Sequence, residues 1–94
     1  MVDRPAEPLD ELRKRLRFRS WHRGTKEIDL LLGTFADRHL DGLDAAQLAR
    51  YAALLDRPDP ELFEWIVARG VVPTPHNHDI LQLLRQVQLS AISY

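Results

Sequence analysis

Apolar residues recur every three to four positions in five segments of the chain, the spacing that places them on one face of an α-helix. In the first two segments these residues are Leu9, Leu12, Leu16, Ile28, Leu30, Leu31, Leu32 and Phe35. No segment of useful length alternates with the period of two that a half-buried strand requires. The pattern predicts an all-α protein of five short helices packed around a single core.

Proline and glycine mark the predicted boundaries. Residues 1–8 hold two prolines and mixed charge, which predicts an N-terminal tail. The helical domain is expected over residues 9–90, and residues 91–94 are expected to form a C-terminal tail. Arg23-Gly24 separates the first helix from the second, which is expected to run from Thr25 to about residue 40.

The third helix has the clearest start signal, because Asp44 is suited to be its N-cap and Gln47 the reciprocal partner. In the fourth helix, Pro60 is expected as the first residue behind an Asp59 cap, and Gly70 is expected to end the helix.

The last two helices are predicted to bury apolar faces formed by Leu62, Phe63, Ile66, Val67, Ile80, Leu81, Leu84 and Val87. Trp65 follows the same face, so we expect it in the core rather than on a contact surface. Gly33 lies inside the second helix, where glycine costs about 1 kcal/mol relative to alanine. A close packing contact is therefore expected at Gly33.

Composition narrows the function classes. The 94-residue chain is 45% hydrophobic and 29% charged, as in ordinary globular domains, and its formal net charge is −1. This charge provides no overall attraction to nucleic acid or membranes. The absence of cysteine excludes disulfides and thiolate sites. No apolar run approaches the roughly 18 residues of a membrane span, so we expect no membrane insertion and a bacterial cytoplasmic location.

The segment from Arg13 to Lys26 contains seven of the 13 lysines and arginines. One interpretation is a phosphate-facing surface for nucleic acid, with Phe18 and Trp21 as stacking groups. Another is a solvated helix face balanced by acids elsewhere in the chain. At a net charge of −1, a surface aimed at an acidic partner protein is favoured over nucleic acid.

No pattern indicates an enzyme or a metal site. Ser20, Ser90 and Ser93 lie in no Gly-x-Ser-x-Gly frame, and the four glycines are isolated rather than grouped in a phosphate loop. His76 and His78 are two residues apart, without a third ligand at suitable spacing. We therefore expect exposed or capping histidines, no metal and no catalytic residue.

The segment Arg23-Gly24-Thr25-Lys26-Glu27 is the least routine part of the sequence. A glycine at a helix junction permits a sharp turn and close approach of another backbone. Arg23 is expected to project from this junction beside Lys26 and Glu27, forming a polar patch suited to docking, with little effect on folding. The alternative is a plain junction whose Glu27 complements the helix dipole.

This segment, with the following Ile28-Asp29-Leu30, resembles the Arg-Gly-x-x-Glu signature of the succinate dehydrogenase assembly factors, called SdhE in bacteria and assembly factor 2 in mitochondria. The resemblance covers about residues 12–88 in the right order. Its further elements are Phe35-Ala36-x-x-His39-Leu40, Leu54-Leu55-Asp56, Asp59-Pro60-Glu61-Leu62-Phe63-x-Trp65 and an aliphatic helix from Ile80 to Val87. The chain departs from the family pattern at His22 and Thr25.

The resemblance implies a chaperone that promotes covalent attachment of FAD to the flavoprotein subunit of succinate dehydrogenase, and of fumarate reductase where present. The bond-making residues would belong to the client. The protein would act on FAD held by that client and would bind no cofactor stably. A monomer is expected, with a dimer as the alternative.

The resemblance also implies the docking surface. The predicted partner-binding residues are Arg23, Gly24, Glu27, Lys26, Asp29 and Arg19. Two other function classes stay open at this point: a nucleic-acid binder that uses Arg13–Arg19, and a toxin–antitoxin or other regulatory helical module.

Overall fold

The computed structural model describes residues 8–92, with side chains through residue 87. Five α-helices follow one another: α1 (Leu9–Trp21), α2 (Lys26–His39), α3 (Ala45–Leu55), α4 (Asp59–Ile66) and α5 (Asp79–Ile92). Short 3-10 turns at Leu40–Gly42 and Thr74–His76 precede α3 and α5. The described range contains no strand, and the predicted all-α architecture of five helices is confirmed.

The predicted tails can be compared with the structure only in part. Residues 1–7 and 93–94 lie outside the described residues, while α5 continues to Ile92, beyond the expected domain end at residue 90. Within the described range, no helix combines the length and apolarity needed to cross a membrane.

The start of α3 has the predicted capping box. Asp44 Oδ1 accepts the backbone N–H of Gln47 at 2.8 Å, and Gln47 Oε1 accepts the backbone N–H of Asp44 at 3.0 Å. Two amides at the helix start are thereby satisfied by side chains.

The predicted boundaries of α4 are wrong at both ends. The helix begins at Asp59, with Pro58 in the capping position, and Asp59 directs its carboxylate to Arg23 instead of capping the helix. The residue with positive φ after α4 is Arg69 (56°), whereas Gly70 donates its N–H to Glu64 O at 2.8 Å. A non-glycine residue therefore takes the left-handed conformation expected of Gly70.

The core draws on every helix. Its buried apolar residues are Leu16, Ile28, Leu31, Leu32, Phe35, Ala36, Leu40, Leu43, Leu48, Tyr51, Leu54, Leu55, Leu62, Trp65, Ile66, Ile80, Leu81, Leu84 and Val87. This set confirms the predicted core position of Trp65. Phe63, by contrast, is 44% exposed and Leu30 is 48% exposed, so the expectation of a buried Phe63 is wrong.

The predicted close contact at Gly33 is also confirmed. A Cβ atom at Gly33 would overlap the indole ring of Trp21, so only glycine lets α1 and α2 approach this closely. The indole Nε1–H donates to Asp37 Oδ1 at 3.3 Å. Trp21 therefore belongs to the α1–α2 contact and is not available as an open stacking ring.

A buried polar pair joins α1 to α3. Ser20 Oγ donates to Leu16 O at 2.7 Å, which leaves the Tyr51 hydroxyl to donate to Ser20 Oγ at 2.5 Å. Burial raises the pKa of Tyr51 well above its usual value, so the phenol keeps the proton that it donates.

Arginines from neighbouring elements satisfy carbonyl groups at helix C-termini. Arg13 donates to Leu40 O at 2.9 Å and to Leu43 O at 2.8 Å, just after α2. Arg85 donates to Trp65 O at 2.8 Å, near the end of α4. Leu40 O also accepts the Leu43 N–H at 3.2 Å within the 3-10 turn. All three carbonyls lie near the negative end of a helix dipole, where a cation is favourable.

Candidate functional site

The α1–α2 junction requires glycine for its backbone conformation. Gly24 has φ = 110°, and a Cβ atom there would meet no neighbouring atom within 4 Å. Asp29 fixes the junction from inside α2, because its Oδ1 accepts the N–H groups of Arg23 at 2.6 Å and Gly24 at 3.3 Å. The positive φ, rather than close approach of another backbone, explains the glycine.

The Arg23 side chain points inward, onto the turn between α3 and α4. Its Nε donates to Asp59 Oδ1 at 2.9 Å, its Nη1 to Leu55 O at 2.6 Å and its Nη2 to Arg57 O at 2.8 Å. The side chain is only 12% exposed. The expectation that Arg23 projects from the junction is wrong, because three acceptors at the end of α3 and the start of α4 hold its guanidinium.

The next residues of the signature face outward. Thr25, Lys26 and Glu27 are exposed at the start of α2. The side chains of Lys26 and Glu27 form no hydrogen bond or ion pair with any other residue that the structure describes. Thr25 makes no side-chain cap bond, and Leu30, one turn along α2, leaves 48% of its surface exposed.

A groove runs between the start of α2 and the start of α4. Its lining residues are Thr25, Glu27, Ile28, Asp59, Pro60 and Phe63, and its volume is about 450 Å³. We call it the docking groove. Its walls are mainly apolar, and Glu27, which has no partner among the described residues, is part of the lining. Phe63, which the sequence predicts in the core, is one of its lining residues.

A smaller groove of about 230 Å³ is lined in part by Arg23 and Asp59. Phe18, 64% exposed, stacks on His22 there with ring centroids 4.0 Å apart. Arg19 also lines this groove, and its Nη2 donates to Asp56 Oδ1 at 2.9 Å. Arg19 is thus near the signature, but its charge is already paired with Asp56.

The basic segment is largely neutralised within the protein. Arg17 lies 3.3 Å from Asp37 and 3.5 Å from Asp41, and Lys14 lies 3.9 Å from Glu11. Every arginine from Arg13 to Arg19 has an interaction partner. With Trp21 packed on Gly33, this arrangement disfavours the nucleic-acid interpretation.

The two closely spaced histidines have structural surroundings. His76 stacks on Trp65 with centroids 5.3 Å apart, and His78 Nδ1 accepts the N–H of Leu81 at 3.3 Å, near the start of α5. His78 is therefore a capping histidine, one of the two expected alternatives. The described residues contain no group of three or more side chains that could hold a metal ion.

The fold and this site define a small all-α domain, in which the exposed residues Glu27 and Phe63 line one groove beside the α1–α2 junction. Comparison with known proteins gives its family. The chain belongs to the family described as flavinator of succinate dehydrogenase, whose model matches residues 14–88.

Individual relatives agree with this assignment. The mitochondrial succinate dehydrogenase assembly factor 2 of Dictyostelium discoideum is 37% identical over 84 residues, 89% of this chain and 60% of the relative. The FAD assembly factor SdhE of Acetobacter pasteurianus is 40% identical over 80 residues, 85% and 72% of the two chains. The mitochondrial assembly factor 2-B of Drosophila ananassae is 43% identical over 86 residues, and the chain spans only 52% of its length.

Proposed function

We propose that this protein is an assembly factor that binds the flavoprotein subunit of succinate dehydrogenase and promotes covalent attachment of FAD to it. The family match over residues 14–88 supports this role, because it includes the α1–α2 junction and both walls of the docking groove. The names of the relatives, succinate dehydrogenase assembly factor and FAD assembly factor, support the same role.

We infer that the docking groove is the client-binding surface. The observation that carries this inference is the pair of exposed residues that line it: Glu27 lacks a partner among the described residues, and Phe63 is a large apolar side chain that is 44% exposed. Lys26 and Leu30, also on α2, are exposed as well. Exposed apolar surface edged by polar groups is typical of protein interaction sites. The partner closing this groove would cover Phe63 and pair with Glu27.

We infer further that the protein leaves the bond-making chemistry to the client. It would hold the client in a conformation in which the client's own residues attach the flavin, and it would bind free FAD weakly or not at all. The open form of the docking groove supports this, since enclosed cofactor sites bury most of their ligand. A stoichiometric yellow protein after purification would contradict it.

We also propose that the flavoprotein subunit of fumarate reductase is a second client. We propose further that the assembly factor is a monomer. The monomer is supported by a core that closes within one chain. The bacterial cytoplasmic location stays a prediction, since the relatives include both mitochondrial and bacterial proteins.

The test is covalent flavinylation of the client in cells that lack their own assembly factor. Glu27→Ala and Phe63→Ala are the test variants. Glu11→Ala is the matched control, because Glu11 is also a glutamate in the first turn of a helix. Flavin fluorescence of the client band on a denaturing gel measures the product, and thermal melts monitor folding.

We expect Glu27→Ala and Phe63→Ala to lose most of the flavin signal, with Glu11→Ala matching the wild type. Glu27→Ala should change the free energy of unfolding by no more than about 0.5 kcal/mol. Full flavinylation with both test variants would show that the client binds elsewhere. No gain of flavin with the wild-type protein would reject the assembly role.

A further inference from the structure

Arg23 and Glu27 belong to one sequence signature, yet the fold sends them in opposite directions. We propose that Arg23 is a positioning residue: it clamps the α3–α4 turn to the α1–α2 junction, so that the docking groove is already formed when the client arrives. Glu27 contacts the client, and the Arg23 guanidinium does not. The identity of the client rests on the proposed function; the clamp itself does not.

The first argument is the geometry of the guanidinium. Its three donors reach Leu55 O, Arg57 O and Asp59 Oδ1, at distances of 2.6 to 2.9 Å. These acceptors lie within five consecutive residues, from the end of α3 to the start of α4. A planar group with fixed donors holds such a turn in one shape, which a single flexible ammonium cannot do.

The second argument is the position of the clamp relative to the groove. Asp59 lines the docking groove together with Pro60 and Phe63, which form its α4 wall. The opposite wall begins at Thr25, two residues after Arg23. Asp29 holds the backbone of Arg23 at 2.6 Å, so a chain of bonds runs from α2 through Arg23 to α4. Breaking this chain frees one wall from the other.

The third argument concerns accessibility. Arg23 is 12% exposed and its partner Asp59 is 22% exposed. A client that contacted the guanidinium would have to displace three hydrogen bonds and leave two carbonyls of the turn unsatisfied. Glu27 is exposed and has no such bonds to lose. Direct contact is therefore favoured at Glu27 and disfavoured at Arg23.

The decisive measurement is made on the free protein. The chain has three phenylalanines, so 4-fluorophenylalanine labelling gives separate fluorine NMR signals for the groove (Phe63), the core (Phe35) and the smaller groove (Phe18). Phe35 is fully buried and reports on the core. The test variant is Arg23→Ala. Arg50→Ala is the matched control, because Arg50 also pairs with an aspartate, Asp79, at 2.9 Å.

We expect Arg23→Ala to shift or broaden the Phe63 signal while the Phe35 signal stays in place, and Arg50→Ala to leave both unchanged. A residue that merely contacts the client would leave the free groove as it is, so an unchanged Phe63 signal overturns the proposal. Loss of the Phe35 signal as well would show a general structural role and would also overturn it.

Binding of the client by the Arg23 and Glu27 variants provides a second test. Arg23→Ala should weaken binding of the client flavoprotein about tenfold or more, and clearly less when Glu27 is already alanine, since groups acting through one contact are not additive. Additive losses would indicate a separate contact by Arg23 and reject the positioning role.

If the alanine variant does not fold, Arg23→Lys is judged by the same fluorine criteria, and unfolding of that variant too would reject a local role. A wild-type protein that binds no client would reject the proposed function, while the fluorine comparison would still decide the role of Arg23.

Discussion

Helix α4 carries two aromatic residues, two positions apart, in opposite surroundings. Trp65 is 6% exposed and stacks on His76, whereas Phe63 is 44% exposed at the docking groove. The signature at the α1–α2 junction shows the same division between an enclosed Arg23 and an exposed Glu27. Both pairs show that residue type and short spacing do not determine role; the neighbouring elements decide which member is part of the fold and which is available to a partner.

The largest effect expected from this comparison is on the free energy of unfolding, when the aromatic residues of α4 are replaced. Trp65→Ala should lower the free energy of unfolding by about 3–5 kcal/mol, because it leaves a cavity in the core. Phe63→Ala should stay within about 1 kcal/mol of the wild type, since much of its ring is already in water. Chemical denaturation of both variants measures the difference. Similar losses at the two positions would remove the distinction between a core face and a docking face of α4.

The next effect concerns the junction. Arg23→Ala should lower the free energy of unfolding by about 2–4 kcal/mol, because the partly buried Asp59 and two carbonyls lose a charged donor. Arg50→Ala should cost no more than about 1 kcal/mol, since its ion pair with Asp79 is more exposed. Denaturation curves compare the two variants. If both variants lost only a small and equal free energy of unfolding, Arg23 would have the exposed position that the sequence predicts.

Most of the fold could be predicted from the sequence because its signals are local. The apolar spacing gave five helices, and Asp44 and Gln47 form the expected capping box. Errors arose where a distant partner competes with a local rule. Asp59 is a good N-cap residue, but its carboxylate pairs with Arg23, 36 residues away in the sequence.

The candidate site could be located from the sequence but not resolved into roles. The signature marked the junction correctly, since Gly24 has the positive φ that glycine permits. The inward direction of Arg23 depends on the α3–α4 turn, which no local pattern places next to the junction. Phe63 was missed as a groove residue because its spacing fits a buried helix face equally well. One feature of the sequence indicates an exposed Phe63: Leu62 and Ile66 already form an apolar stripe on α4 without it, and both are buried.

A smaller effect tests the glycine of the junction. Gly24→Ala should lower the free energy of unfolding by about 1–3 kcal/mol, because φ = 110° is strained for any residue with a Cβ atom. Gly42→Ala is the matched control: a Cβ there also meets nothing within 4 Å, and its φ is not positive. We expect thermal melts to separate the two variants. Equal melting temperatures would mean that the junction tolerates another backbone conformation.

The smallest expected effect is a pH dependence of stability. It arises from His78, a residue with a structural role. Burial lowers the pKa of His78 below its ordinary value of 6.5, and the neutral ring is the form that accepts the Leu81 N–H. Nearby Asp79 raises the pKa of His78, while Arg50 and His76 lower it, and the balance leaves the neutral form favoured. The unfolded chain therefore binds a proton more readily than the folded protein as the pH falls below about 6.5.

The contribution of His78 to stability should accordingly be fully present above pH 6.5. It should decline as the pH falls through 6.5 and level off below the lower pKa of the folded His78. His78→Asn is the informative variant, because asparagine can still accept a capping hydrogen bond but does not titrate. Melting temperatures between pH 8 and pH 5 should fall less steeply for this variant than for the wild type. Parallel curves would assign the dependence to another group and leave His78 with a capping role only.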